Sequence, residues 1–375
     1  MQYPGDAFPE LGSCSLVFQV KVHFFMQFDP PVIEEKIRSW AHELGFSFVG
    51  MSGTGLEEAG ERLAQWLEKG FHGEMHYMAK QAWLRSNPGK LHPGTLSVIS
   101  VAMNYLVKDP LEAWGMIEDA QKAYVSRYAL GRDYHKVLRS RLKKLAKRIE
   151  AEFGGEGGRI FVDSAPVLEV ELAKNAGIGW RGKHTLLLNR QAGSFFFLGE
   201  IYTNLPLAMD EPAPNHCGSC KKCMEICPTN AIVEPYMLDA RRCIAYLTIE
   251  HPGSIPVEYR KAIGNRIYGC DDCQLVCPWN RFAKLSLEPE FAARNGLEKA
   301  DLVELFSWSE TEFESRLEGS AIRRIGHERW LRNIAVALGN ARSSESVVSA
   351  LKSRTNHESG LVREHVSWAL MQHRC

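Results

Sequence analysis

Four cysteines fall within eleven positions in CGSCKKCMEICPTN, residues 217–230, and three more follow in CDDCQLVCPWN, residues 270–280. Of ten cysteines in a 375-residue chain, eight lie between 217 and 277. A disulfide framework spreads its cysteines through a small secreted chain, so this concentration points to metal. The first run is C-x2-C-x2-C-x3-C-P, the ferredoxin spacing in which three close thiolates hold one cubane and the fourth reaches a second. The second run, Cys270, Cys273 and Cys277, matches the last three positions of that motif and is one ligand short; Cys243, in DARRCIAYL, is the nearby candidate. Crossing the fourth cysteines puts Cys217, Cys220, Cys223 and Cys277 on one [4Fe-4S] cluster. The other takes Cys227, Cys243, Cys270 and Cys273. Two four-thiolate zinc sites are the competing reading. A pair of cubanes passes electrons singly, so the acceptor must lie elsewhere in the fold. Cys14 and Cys375 fall outside the pattern.

The other candidates depend on the elements that hold them. PVIEEKIRSWAHELG has apolar residues at helical spacing and stops at Gly45; FSFVGMS and LSVISVAMNYL (96–106) read as buried strands. GTGLEEAGERLAQWLEKG is a helix after a strand-to-helix turn, with Thr54 as expected N-cap; GxG alone is weak evidence for a nucleotide loop. RIFVD (159–163) runs as a strand into SAPVLEVELAKNAG, a helix with Pro166 in its first turn and Gly177 as its stop. Asp163 thus stands at a strand's carboxyl end, where open α/β sheets bind ligands, although taken alone an N-cap role fits it better. GWRGKHTLLLN and SFFFLGEIYTNLPL read as a basic turn and two strands. The expected fold is therefore an α/β (α+β) domain over 26–210, a ferredoxin-like two-cluster domain over 211–290, and an all-α, HEAT-like helical domain over 291–375. Residues 1–25 read as an N-terminal extension, possessing neither a signal peptide's pattern nor the length of a membrane span. The expected location is the cytoplasm.

Lys plus Arg equals Asp plus Glu, so net charge suggests no partner. Local charge does. Residues 121–148 carry ten Lys or Arg against one acid, Asp133, and the helix DYHKVLRSRLKKLAKRIEAEFGG, whose basic part is 136–148, has Leu138, Leu142, Leu145 and Ile149 on one face with cations around the rest. Arg323, Arg324, Arg329 and Arg332 cluster around Glu328 at the start of the terminal helices. Both stretches suit a nucleic-acid backbone; a solvated helix face is the ordinary alternative.

The runs CGSCKKCMEICPTNAI, DARRCIAYLTIE and GNRIYGCDDCQLVCPWN, with SRYALGRDYH, DSAPVLE and GWRGKHT upstream, resemble epoxyqueuosine reductases from about Met26 to the terminal helices. The resemblance implies a cobalamin-dependent enzyme with two [4Fe-4S] clusters that reduces the epoxide of epoxyqueuosine at the tRNA wobble position, the last step of queuosine synthesis. It implies that cob(I)alamin attacks an epoxide carbon, that an unidentified low-potential donor feeds the clusters, and that the chain works as a monomer on the anticodon stem-loop. Asp163 matches the family's proton donor, and the expectation is a pKa raised by desolvation. Arg85, Ser126, Tyr128, Tyr134, His135, Lys183 and His184 fall in segments that match the cobalamin-facing region. Asp271 and Asp272 could place backbone near the corrin or simply form a turn. The sequence departs from the family pattern at Val170, where an arginine is expected, which removes a possible local ion pair. Two other classes remain open: a corrinoid iron–sulfur reductase of a small molecule, disfavoured by the lack of a twin-arginine motif in the first 100 residues, and a two-cluster electron carrier with no chemistry of its own.

Overall fold

The computed structural model describes residues 30–154 and 158–373; the expectations for residues 1–25, Cys14 and Cys375 fall outside these. Helix α1 (Pro30–Glu43) buries Ile33, Ile37 and Ala41, each four residues from the last, and is followed by strand β1 (Phe48–Ser52). Helix α2 (Glu57–Glu68) begins after Leu56, which makes no side-chain cap. Thr54 is therefore not its N-cap: the turn runs two residues further, and Glu57 and Glu58 supply the favourable charge at the helix start. Strand β2 (Ser97–Asn104) and helix α3 (Tyr134–Phe153) come next, then β3 (Arg159–Phe161), α4 (Glu169–Asn175) and β4 (Phe196–Thr203).

The four strands form one sheet in the order β1-β2-β4-β3, and every neighbouring pair is antiparallel. The domain is thus α+β, and the strand-end rule for open parallel sheets does not explain why Asp163 matters. Strands β2 and β4 are buried along their whole length. Alternate residues divide between two layers. Ile99, Val101, Phe197 and Ile201 pack with α1 and α3, whose Leu138, Leu142, Leu145 and Ile149 are fully buried; Val98, Phe161 and Tyr202 pack with Leu172 of α4 and Ala59 of α2. Gly50 lets β1 approach the end of α4, where a Cβ would lie 2.0 Å from the Ala176 carbonyl oxygen.

The cysteine segment contains two one-turn helices, α5 (Lys222–Glu225) and α6 (Asp272–Leu275), which pack together. The chain ends in α7 (Gly326–Asn340), α8 (Glu345–Ser353) and α9 (Gly360–Gln372), the last two opened by Ser344 and Ser359, whose side chains accept from Val347 N–H and Val362 N–H. Helix α7 is buried along most of its length, against α9, α8 and the cysteine segment, and one apolar core joins residues 123–130, the cysteine segment and the terminal helices. Among the described residues no helix is long and apolar enough to cross a membrane.

Arg332 belongs to this core. It is fully buried on α7, with Nη1 donating to the carbonyls of His251 and Gly253 (2.7 Å each) and Nη2 to that of Leu247 (2.8 Å). It is a bracket between segments, and no phosphate can reach it. Arg332→Ala takes the donor from three carbonyls, of which that of Leu247 is buried, and should lower stability by about 3 kcal/mol. Thermal melting checks this, and an unchanged midpoint would contradict it.

Candidate functional site

The eight thiols stand as two quartets. Burial first, then the charges of Cys217, Cys223 and Cys220, pushes the Cys277 thiol up to about 11. Burial, then Cys243 and Cys227, raises Cys273 well above the ordinary thiol range, and Cys270 is raised by burial, with Asp272 and Cys273 beside it. Cys277 thus neighbours the first run, around one cavity with Cys217, Cys220 and Cys223, and Cys227 neighbours Cys273 of the second, which is the proximity a crossed assignment needs. Clustered, buried thiolates need cations between them to stay ionised. Among the described residues no three His, Cys, Asp or Glu side chains are drawn together as a single metal ion would require. A zinc tetrahedron with bonds of about 2.3 Å would hold its sulfurs within about 4 Å of one another.

Asp163 lies just past β3, in a cavity of about 380 Å³ lined also by Tyr77, Arg85, His135, Glu169, Glu250 and Arg324. Its φ is +43°, in the left-handed region. The loop continues past Pro166 to Leu168 before α4 starts, so Pro166 precedes the helix instead of sitting in its first turn. Nor does Asp163 cap α4: its N–H donates to Glu169 Oε2 (3.2 Å), and its carboxylate turns back towards α3. There Tyr134 Oη donates to Asp163 Oδ2, and His135 Nε2 lies 3.2 Å from the same oxygen. Stacking on Phe197, at 4.1 Å between centroids, fixes the Tyr134 ring. Asp133 caps α3 through His135 N–H and also holds His135 Nδ1 at 2.8 Å.

The protonation states differ from the sequence-based expectation. Half of the Asp163 side chain is open (49%), but to the cavity. Burial alone would raise its pKa; the hydrogen bonds from His135 and Tyr134, then the charges of His135 and Arg324, outweigh this and hold it below the ordinary carboxylate value. His135 is the group that holds a proton: against the effect of burial, Asp133 and then Asp163 keep its pKa up at about 9. Glu169 is the raised carboxyl, pushed to about 8 by burial and then by the charge of Asp163.

Arg85 is buried with Nη1 on the Ala165 carbonyl (3.3 Å) and Nε unpartnered, so it joins Asp163, Tyr134 and His135 as expected. Tyr128 packs edge-on against Tyr134 behind the cavity. Ser126 goes elsewhere: it donates to Asp271, which also accepts from Tyr124 Oη (2.7 Å) and Arg127 N–H (2.8 Å). Asp272 is held by Arg266 Nε (2.7 Å). Both acids brace the turn between Cys270 and Cys273. Lys183 and His184 stand at the first thiol quartet, in a separate cavity of about 220 Å³ lined by Cys217, Cys220, Cys223 and Cys277. Lys183 Nζ donates to the carbonyls of Gly218 (2.6 Å) and Cys220 (2.9 Å), and burial lowers the His184 pKa to about 4. With valine at 170, local ion pairing falls to Glu171, which meets Arg62 (2.9 Å), Lys174 (3.4 Å) and Arg181 (3.5 Å).

The terminal arginines are not one surface. Arg332 is interior, and Arg329 donates to the carbonyls of Ile325 (2.7 Å) and Ile249 (3.1 Å). Arg324 pairs with Glu250 on the rim of the Asp163 cavity, and Arg323 pairs with Glu314. Sequence reading missed Glu169, although it lies within DSAPVLE, and Glu200, a lone acid in the apolar strand β4; the latter signal was visible in FFLGEIYT.

Two family models match the chain. One is described as "Epoxyqueuosine reductase QueG, DUF1730" and covers residues 85–164; the other, "4Fe-4S double cluster binding domain", covers residues 216–280. The epoxyqueuosine reductase of Xanthomonas campestris pv. campestris is 60% identical over 345 residues, 92% of this chain and 97% of that one. The Pseudomonas aeruginosa enzyme is 57% identical over 346 residues, 92% and 96% of the two chains. Among solved structures, an epoxyqueuosine reductase crystallised with an epoxyqueuosine-modified tRNA-Tyr stem loop matches with a TM-score of 0.81 at 28% identity, over 92% of this chain and 91% of its own. One from Streptococcus thermophilus matches at 0.76 and 28% identity, over 91% and 90%. A thiol-rich segment and an acid-lined cavity held in one fold, with such relatives matching along nearly the whole chain, give a single conclusion: the chain belongs to the epoxyqueuosine reductase family.

Proposed function

We propose that the chain reduces the epoxide of epoxyqueuosine in tRNA to the alkene of queuosine, using cobalamin and two [4Fe-4S] clusters. The observation that carries this reading is the Asp163–His135–Tyr134 set, which puts a proton path at the wall of a cavity in the family's scaffold.

The cavities fit a large, amphipathic cofactor. The acid-lined cavity adjoins a more apolar one of about 310 Å³ and shares Met78, Val167 and Glu169 with it, and Arg85 brings an unpartnered buried Nε to the polar side. Arg85, Val167 and Leu168 would hold cobalamin, with Tyr134 behind Asp163. Bound there, cobalamin supplies a low-valent cobalt centre able to attack carbon. The protein's own residues do the proton chemistry. Asp163 protonates the departing epoxide oxygen, because an alkoxide in a closed pocket is costly. His135 passes its proton to Asp163 across their shared contact, and Asp133 stabilises His135 as it titrates. Tyr134 fixes which carboxylate oxygen faces the substrate.

Helix α3 links this chemistry to the RNA. Lys136, Arg139, Lys143, Lys144 and Lys147 are exposed along it, its first turn carries His135, and Arg139 reaches Ser164 Oγ (3.3 Å) beside Asp163. In this reading the stem-loop lies along α3, held by its phosphates, with the modified base in the cavity; Arg323 adds a contact from the HEAT-like helices. The protein acts in the cytoplasm, as a monomer reduced by a low-potential donor, with catalytic, cluster and helical units over 26–210, 211–290 and 291–375. Reversing Lys136, Lys143 and Lys147 together to Glu should weaken stem-loop binding by about tenfold or more and flatten its salt dependence. Unchanged affinity would remove α3 from the interface. The reaction itself is tested by offering reconstituted protein either the epoxyqueuosine stem-loop or the free modified nucleoside. Conversion of the stem-loop at a far greater rate is the expected result; equal rates would favour a small-molecule reductase.

A further inference from the structure

Opening an epoxide to an alkene consumes two electrons and two protons: both carbon–oxygen bonds break, a carbon–carbon π bond forms, and the oxygen leaves as water. The clusters supply electrons, but Asp163 delivers one proton at a time, and its Oδ2 is the single oxygen on which both Tyr134 and His135 converge. The second proton calls for another donor in the cavity wall. The other cavity groups narrow the choice. Burial pushes Tyr77 up to about 12, too reluctant a donor near neutral pH, and Arg85 and Arg324 are guanidinium groups; Glu250 is tied to Arg324. Glu169 remains. It lines the cavity beside Asp163, is bound to that residue's backbone N–H through Oε2, and forms no ion pair among the described residues.

We infer that Glu169 is the second proton donor of the reduction: Asp163, recharged by His135, protonates the oxygen as the ring opens, and Glu169 protonates it again as it leaves as water. This rests on the reductase reading. Four groups face Glu169: burial and the charge of Asp163 on the loop hold its proton in place, against His135 from α3 and Arg85 from the segment before β2, which favour its ionised form, while Glu200 faces it from the sheet. Glu200 is fully buried on β4 with both oxygens unpartnered, and burial, then Glu169 and Asp163, keeps it neutral. Ionising Glu169 therefore places a second negative charge beside Asp163, above a neutral buried acid that offers it no countercharge.

The test is kcat against pH for reconstituted holoenzyme on the epoxyqueuosine stem-loop, with Glu169→Gln and Glu169→Asp. The wild-type rate should fall as pH rises through about 8, where Glu169 loses its proton, with His135 following near 9. Gln keeps the oxygen that accepts the Asp163 N–H but carries no acid proton. It should cut kcat by about 100-fold or more, leave KM, iron and corrin content unchanged, and move the alkaline limb from about 8 to about 9. Glu169→Asp should recover part of the rate together with the lower limb. A Gln variant with wild-type kcat, or with the limb unmoved, overturns the inference while leaving the reductase reading intact. A wild-type enzyme that leaves the epoxide untouched overturns both.

Discussion

Asp163→Asn should lower turnover by about 1,000-fold or more while both clusters and the corrin stay bound. The site explains why this should be a loss of chemistry and not of folding. Asp163 adopts φ +43°, and asparagine is the side chain that tolerates the left-handed region nearly as well. Its amide oxygen can still accept from Tyr134 or His135, and its N–H still donates to Glu169. What disappears is a group that takes a proton from His135 and gives it to a leaving oxygen. The imidazolium also loses one of its two carboxylate partners, so the His135 pKa should fall from about 9 towards its ordinary value. Turnover by nucleoside analysis, iron content and corrin absorbance decide the matter together. Full activity in the Asn variant would remove Asp163 from the mechanism; loss of corrin would make it a binding residue.

The second large effect concerns the cysteines. In the crossed arrangement Cys277 and Cys220 serve one cluster although they lie in different runs, and Cys243 serves the other. Cys277→Ala and Cys220→Ala should each lower iron from about eight to about four per chain, and combining them should remove no more. Cys277→Ala with Cys243→Ala should remove nearly all of it. An uncrossed arrangement predicts the reverse, with the 277/243 pair additive to nothing and the 277/220 pair emptying both sites. Each single variant should lose turnover, since two electrons must arrive one at a time. Anaerobic iron and sulfide analysis with electron paramagnetic resonance separates the two schemes.

Features that repeat along one stretch of chain were legible in the sequence. The apolar stripe of α3, the strands β1, β2 and β4, and the thiol spacing all declare themselves within a few residues. Turns were less legible: Thr54 and Pro166 both looked like helix starts, but the chain turns for two or three residues more before each helix begins. Charge states were the least legible. The low pKa of Asp163 comes from His135 and Tyr134, which belong to another element and reach it only because α3 packs beside β3. Counting arginines also misled, since Arg332 and Arg324 are eight residues apart on a basic stretch, yet one is interior and the other rims the cavity. A cation on a helix buried on all sides looks the same in sequence as one facing water. The local partners of Lys183 were equally hidden: GWRGKHT folds its lysine onto the carbonyls of the first cysteine run.

Removal of an epoxide oxygen from a tRNA nucleoside, with cobalamin as the cofactor, is the property on which every other role assigned to this chain depends. Reconstituted protein, a strong reductant and tRNA carrying epoxyqueuosine are incubated anaerobically with and without cobalamin, and the digested nucleosides are weighed by mass spectrometry. Loss of one oxygen mass only when cobalamin is present is the predicted result. Retention of the epoxide in both arms, with the two clusters shown intact, would contradict it.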